Sequence, residues 1–326
     1  RIKNQKISRK ILFCLPPSLG LGDIIEYALA VEAIKKANIF SEIGIAFIGR
    51  YEKIFKKYFT VSNIYPEIIS EDVYNSFGTI FHTTLEIPAF KNQKFVRSDI
   101  EKNLINYFKV KKIRTTKNKY KDKIKKITIF PISNSSMRIM PIALLENITE
   151  FFSDNYLIEI VLDINSTLSN YFEKKFINNK AVKIYPKNLG ALLSVIESID
   201  FGVFMDSGPL HVAKILNIKG ILIENSVSSK ILLNDFNSIK SFKNTYQSNF
   251  CEAPCGLTNI FNYDNNYGCF DSLQINKLDF NKIDNLNSFQ RGSTIDYNEK
   301  FIDNPVSCLK NINSLMVINF LESVLK

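Results

Sequence analysis

Tryptophan is absent from this chain of 326 residues, and only two histidines are present. Glycine and proline are scarce too, at 12 and 10 residues, which excludes collagen-like and proline-rich sequences. No apolar run reaches the ~18 residues of a membrane span. The first residues show no apolar stretch with a small-residue cleavage site, so no signal peptide is read there. Five cysteines are too few for a disulfide scaffold in so long a chain, and a reducing, cytoplasmic setting fits them. The dinucleotide fingerprint Gly-x-Gly-x-x-Gly is missing as well.

What is present is a globular composition, 45% hydrophobic and 12% aromatic, which excludes intrinsic disorder. The formal charge is +10, from 42 basic and 32 acidic residues. Nearly all of that excess lies between Lys109 and Lys126, where ten basic residues face a single acid, Asp122. This stretch is the natural boundary between two domains, 1–120 and 121–326. Its default reading is a solvated linker. Its functional reading is attraction to an anionic membrane face or phosphorylated glycolipid. It holds Tyr120 but no interleaved aromatics for stacking on bases, and no nucleic-acid reading module is visible, so nucleic acid is not an expected partner.

Strand and helix patterns alternate along the chain. An apolar run over 10–15 meets Pro16-Pro17, a small-residue turn follows, and 24–36 reads as a helix with Ile24, Ala28, Val31 and Ile34 on one face. A strand over 42–49 completes a βαβ unit. The segment 78–84 reads as a further strand and 97–108 as a helix. A second series begins at 126, with strands over 127–130, 157–162, 182–185, 201–205 and 220–224. Helices over 141–152, 166–178, 189–199 and 210–216 separate them. After Asn225 the pattern weakens into Asn-rich segments, and a closing helix over 311–326 is expected to pack back on the first domain. The fold class is α/β, two Rossmann-like halves.

Three constellations carry chemistry. The first is the turn ending in Gly20-Leu21-Gly22-Asp23, which opens a helix beyond a strand's carboxyl end, where open α/β sheets bind ligands. Asp23 with Glu26 has a capping-box shape, and the structural reading is a helix cap. The second is Met205-Asp206-Ser207-Gly208-Pro209-Leu210-His211. Ser207 can cap a helix there, Gly208 lets backbone approach a ligand, and the helix end is an anion site. The third is the loop 130–141, with Ser133, Asn134 and Arg138. Its structural reading is an ordinary polar loop; its functional reading is a phosphate clamp, for which a guanidinium is suited. Cys251, Cys255, Cys269 and Cys308 could close a tetrahedral metal site, but the irregular spacing favours plain thiols. His82 reads first as structural.

Together these motifs resemble glycosyltransferase family 9, the heptosyltransferase-like enzymes of bacterial cell-surface polysaccharide synthesis. SLGLGDIIEYALAVEAIKK looks like the family's first signature, with Asp23 at the position of its proposed catalytic base. PISNSSMRIMP matches the second in outline, with Arg138 at a Lys position and Met140 at a Trp position. DSGPLH matches the third intact. The Cys segment looks like a Cys-containing region of many members. The acid that often binds ribose is not matched, because Asp163 stands early. The resemblance covers about residues 10 to 275.

The resemblance implies a GT-B fold, two Rossmann-like domains with parallel sheets facing across a cleft. It implies an inverting, metal-independent glycosyltransferase with no required cofactor beyond a nucleotide-sugar co-substrate. ADP-heptose is the family's usual donor, and a cell-surface glycan or lipopolysaccharide-type molecule the acceptor. Asp23 would act as general base, with Gly20, Gly22 and His82 on the acceptor side. Ser133, Asn134, Arg138, Asp206, Ser207, Gly208 and His211 would bind the donor. The enzyme would be cytoplasmic, meeting the inner membrane face through 109–126. Two rival readings stay open: a sugar-nucleotide epimerase of the same fold, and a non-catalytic sugar-nucleotide or glycan-binding scaffold.

Overall fold

The computed structural model describes residues 10–17, 19–66, 68–83, 89–91, 94–114, 123–133, 135–164, 167–176, 180–249, 252–257 and 305–326. The chain divides into two compact units, residues 1–88 with 98–115, and residues 89–97 with 116–326.

The first unit runs β1 (Lys10–Cys14), α1 (Leu21–Lys36), β2 (Glu42–Ala46), α2 (Glu52–Tyr58), β3 (Asn63–Tyr65), α3 (Glu71–Ser76) and β4 (Thr79–His82). Its four strands are parallel, in the order β3-β2-β1-β4. Ile11, Leu12 and Phe13 of β1 are all buried, because helices cover both faces of such a sheet. The chain then forms the antiparallel pair β5 (Ala89–Lys91) and β6 (Lys94–Val96), which belongs to the second unit. It returns to the first with α4 (Ile100–Phe108), which packs on α1. Phe13, Phe81 and Phe108 meet edge-on or tilted where β1, β4 and α4 converge.

The second unit holds β7 (Lys126–Phe130), α5 (Ile142–Phe152), β8 (Leu157–Val161), α6 (Thr167–Lys175), β9 (Val182–Ile184), α7 (Leu189–Ser198), β10 (Phe201–Phe204), α8 (Gly208–Ile215), β11 (Gly220–Ile223), α9 (Ser229–Leu232) and β12 (Ile239–Phe242). Its parallel sheet has the order β12-β11-β10-β7-β8-β9. The chain therefore builds outward from β7 on one side, then reverses and builds from β10 on the other. This is the order of the dinucleotide-binding folds. Gly202 and Gly220 pair in register, and a Cβ on Gly202 would meet the Phe204 ring at 2.2 Å. The missing side chains make room for that ring, which stacks on Phe130 at 5.2 Å. A short pair, β13 (Tyr246–Gln247) with β14 (Glu252–Ala253), precedes α10 (Ser307–Lys310) and α11 (Ser314–Leu325).

Several elements differ from the sequence reading. Helix α1 starts at Leu21, a turn before the expected Ile24, and every residue from Ile24 to Ile34 is buried. It is enclosed rather than one-faced, and Glu32 is satisfied inside by the Thr60 N–H at 2.9 Å and hydroxyl at 2.8 Å. Helix α8 likewise starts two residues early, at Gly208. Strand β12 lies in the segment where the pattern fades, and α11 packs on α5, β11 and β12 within the second unit. Two parallel-sheet α/β units bear out the expected fold class. Among the described residues no helix is long and apolar enough to cross a membrane.

Candidate functional site

In each sheet the strand order reverses beside the first strand, between β7 and β10 in one and between β1 and β4 in the other. Loops leaving the carboxyl ends of two such strands part in opposite directions and open a crevice. Both sets of motif residues fall at these two points.

In the second unit, the loop after β7 and the turn after β10 are bonded together. The Ser133 hydroxyl donates to the Asp206 carbonyl at 3.0 Å. Arg138 sits in the 3₁₀ turn Ser136–Arg138, and its Nη1 donates to the same carbonyl at 3.3 Å. Nη1 also lies 3.4 Å from Asp206 Oδ2, with the Arg138 side chain 15% exposed. Among the described residues Arg138 Nε has no hydrogen-bond partner, and Asp206 Oδ2 has none beyond its ion pair with Arg138. Such orphans mark places where a ligand, ion or water completes the set.

Helix α8 begins at this turn. Ser207 occupies its N-cap, but no side chain caps the helix; the Ser207 hydroxyl donates to Met205 O at 3.3 Å instead. An uncapped helix start concentrates positive potential at Gly208. His211 lies one turn further in, 1% exposed. Asn134 lies outside the described residues.

The loop after β11 adds residues that the sequence reading missed. Glu224, Asn225 and Ser226 are all buried. Glu224 Oε2 accepts from the Ser229 N–H at 2.7 Å and the Ser241 hydroxyl at 3.1 Å, closing the loop on α9 and β12. Asn225 donates its amide to Met137 O. The signal available in sequence was only the position after a buried strand.

In the first unit, Asp23 is not the cap residue but stands at the third helical position. Its Oδ2 accepts from the Gly20 N–H at 3.2 Å, and Gly20 is the cap. This anchors the carboxylate at the switch point. His82 ends β4 in register with Cys14 and is exposed. The next residue, Thr83, ties the two strands by donating to Cys14 O at 3.0 Å. Tyr51 was not anticipated. It follows β2, its ring packs within 3.6 Å of where a Gly49 Cβ would stand, and Gly49 has a φ of +151°. Burial and the negative charge of Asp23 push the Tyr51 phenol up from its ordinary value.

Behind α1, Glu101 of α4 is wholly buried and bidentate to Arg114, with one oxygen at 2.5 Å and the other at 3.0 Å. Burial, the larger influence, and the nearby Glu26 push its carboxyl up, against the pull of Arg114 and Lys112. Arg114 thus fixes one point of the basic stretch; positions 115–122 lie outside the described residues.

Cys308 is buried and Cys255 half-buried, both against the second unit's apolar core. Cys251 and Cys269 lie outside the described residues. Among the described residues no group of three or more His, Cys, Asp or Glu is placed to hold a metal ion.

No protein-family model and no curated protein matches the chain. Solved structures do. A family 9 glycosyltransferase from Veillonella parvula is 11% identical, covers 98% of both chains and has a TM-score of 0.59. TibC of enterotoxigenic Escherichia coli, an iron-containing dodecameric glycosyltransferase, is 15% identical over 97% of this chain and 78% of its own, with a TM-score of 0.54. The E. coli ADP-heptose lipopolysaccharide heptosyltransferase II is 11% identical over 73% of this chain and 91% of its own, with a TM-score of 0.51. The motif resemblance is thus matched at the level of architecture: the chain has the GT-B fold of family 9 glycosyltransferases.

Proposed function

We propose that this protein is an inverting glycosyltransferase. It takes a sugar from a nucleotide-sugar, an ADP-heptose-like donor, to a hydroxyl of a cell-surface glycan or lipopolysaccharide-type acceptor. The observation that carries the reading is the orphaned Arg138 N–H beside the uncapped start of α8, at the switch point of the second sheet. A buried guanidinium and an open helix start suit a diphosphate. TibC has been captured with ADP-D-β-D-heptose, which supports an ADP-sugar as the donor.

In this mechanism the diphosphate is held by Arg138 and the Gly208 backbone. Ser133 holds the Asp206 turn in place. His211, buried in α8, contacts the donor. Positive potential stabilises the leaving nucleotide diphosphate as the glycosidic bond breaks. Asp23, kept in place by Gly20, removes the acceptor hydroxyl's proton as general base. The hydroxyl attacks the anomeric carbon opposite the leaving group, through an oxocarbenium-like transition state. His82, exposed at the end of β4, contacts the acceptor. The basic stretch meets an anionic acceptor or membrane surface.

A thermal-shift screen with ADP- and UDP-sugars tests the donor. A ligand at 100 times its Kd stabilises the fold by about 2.7 kcal/mol, so an ADP-sugar should raise the midpoint by several degrees. If no nucleotide sugar moves the midpoint, the reading is wrong.

A further inference from the structure

The guanidinium of Arg138 is carried by a three-residue 3₁₀ turn, and such a turn has little rigidity of its own. Within the turn the Arg138 N–H bonds Ser135 O at 2.9 Å, and just beyond it the Met140 N–H bonds Pro131 O at 2.9 Å. These bonds close the loop on itself but do not fix it against the rest of the sheet. One connection to it comes from the loop after β11. Asn225, 5% exposed, donates its side-chain amide to the carbonyl of Met137, the residue before Arg138. The Asn225 carbonyl oxygen then faces the amide of Asn244, 4% exposed, at 3.5 Å. Asn244 donates to Cys308 O at 2.8 Å. The orientation of the Asn225 amide follows from its neighbours: Met137 O can only accept, so the nitrogen must face it.

A buried amide has no solvent to fall back on, so losing its partner leaves it unsatisfied. The pair Asn225–Met137 O therefore holds the 3₁₀ turn in one place. Arg138 also bonds the Asp206 carbonyl, so the turn is fixed from both sides, by Asn225 of the loop after β11 and by Asp206 of the turn after β10.

We propose that Asn225 is a positioning residue for the donor: it clamps the Met137 carbonyl so that Arg138 presents its guanidinium to the nucleotide diphosphate, and Asn244 orients Asn225. This rests on the donor reading above. Asn225 need not touch the nucleotide; its effect passes through Arg138.

The test is a double-mutant cycle on the full chain, with ADP as the probe and Kd measured by calorimetry. The variants are Asn225→Leu, which keeps the volume without the donor, Arg138→Ala, and the two combined. Thermal midpoints are recorded alongside. Arg138→Ala should weaken ADP roughly ten- to hundredfold, as expected for a charged hydrogen bond. Asn225→Leu should weaken it about tenfold, as expected for a lost buried hydrogen bond. In the Arg138→Ala background, Asn225→Leu should have no further effect, the mark of residues acting in series. A general loosening of the fold would instead weaken ADP in both backgrounds. If Asn225→Leu does not fold, Asn225→Ser replaces it, and its loss of affinity must again vanish when Arg138 is gone. Multiplying effects, or a parent-like Kd for a folded Asn225 variant, overturns the clamp and leaves the donor reading standing. A parent-like Kd for Arg138→Ala, or no ADP binding by the parent chain, overturns the donor reading and the clamp with it.

Discussion

The two switch points share a topology and differ in sign. In the first sheet the loop after the initial strand carries a carboxylate, Asp23, which accepts the N–H of Gly20 at its own helix start. In the second, the equivalent loop carries a guanidinium, and the helix after the neighbouring strand has no side-chain cap among the described residues. One switch point therefore presents a carboxylate, the other a guanidinium beside an open helix start. The strand order decides where loops diverge; the two or three residues placed there decide the chemistry. Family-level likeness in fold would survive the loss of either set, so function has to be tested at the residues.

The largest test of that division is Asp23→Asn. Transfer should fall roughly 10²- to 10⁴-fold, the usual contribution of a general base, while ADP affinity stays at the parent value. Arg138→Ala, by contrast, should act first on ADP affinity. If Asp23→Asn weakens ADP as much as it slows transfer, the two poles are not separate and the comparison fails.

Next in size is Gly202→Ala, which asks how tightly the second sheet supports its pole. The added Cβ would meet the Phe204 ring at 2.2 Å. Overpacking of this kind destabilises by about 1–3 kcal/mol. Denaturant unfolding should show that loss, and an unchanged midpoint would mean the Phe130–Phe204 stack yields easily.

The smallest effect sharpens the first pole. Glu101 sits behind α1 with its carboxyl pushed up, chiefly by burial. A carboxyl with a raised folded value binds more protons folded than unfolded, so stability falls as pH rises from about the ordinary value of 4.5 through the raised one. The stability gap between the parent and Glu101→Gln should therefore shift against the parent as pH rises through that window. A gap that moves the other way would show that pairing with Arg114 dominates over burial.

Much of this was readable from residue patterns. DSGPLH announces itself because a buried strand, a small-residue turn and a helix-starting proline coincide within a few residues. SLGLGD is legible for similar reasons, although its structural role was misplaced by one turn: with no Cβ at Gly20, the acid three residues on completes the cap. Strand β12 was not legible. Its four residues are short, mixed in polarity and at a sheet edge, so neither periodicity nor length marks them. Asn225 and Asn244 were hidden for a different reason. Asn225 bonds a carbonyl 88 positions away, and only the pairing of β11, β10 and β7 brings them together. Tyr51 needed the left-handed turn at Gly49, which a strand read through position 49 conceals.

The pair β5–β6 has a consequence for how the protein is made. Its chain leaves the first unit after 88 and returns at 98. The Arg97 N–H bonds the Gly256 carbonyl at 2.8 Å, and the Gly256 N–H bonds Ser226 O. On the ribosome, the hairpin emerges long before Gly256 does. At roughly 5–20 residues per second, Arg97 waits on the order of ten seconds for Gly256 to be made. Synthesis order and folding order thus part here: α4 can complete the first unit while a fragment of the second, already made, hangs between its halves.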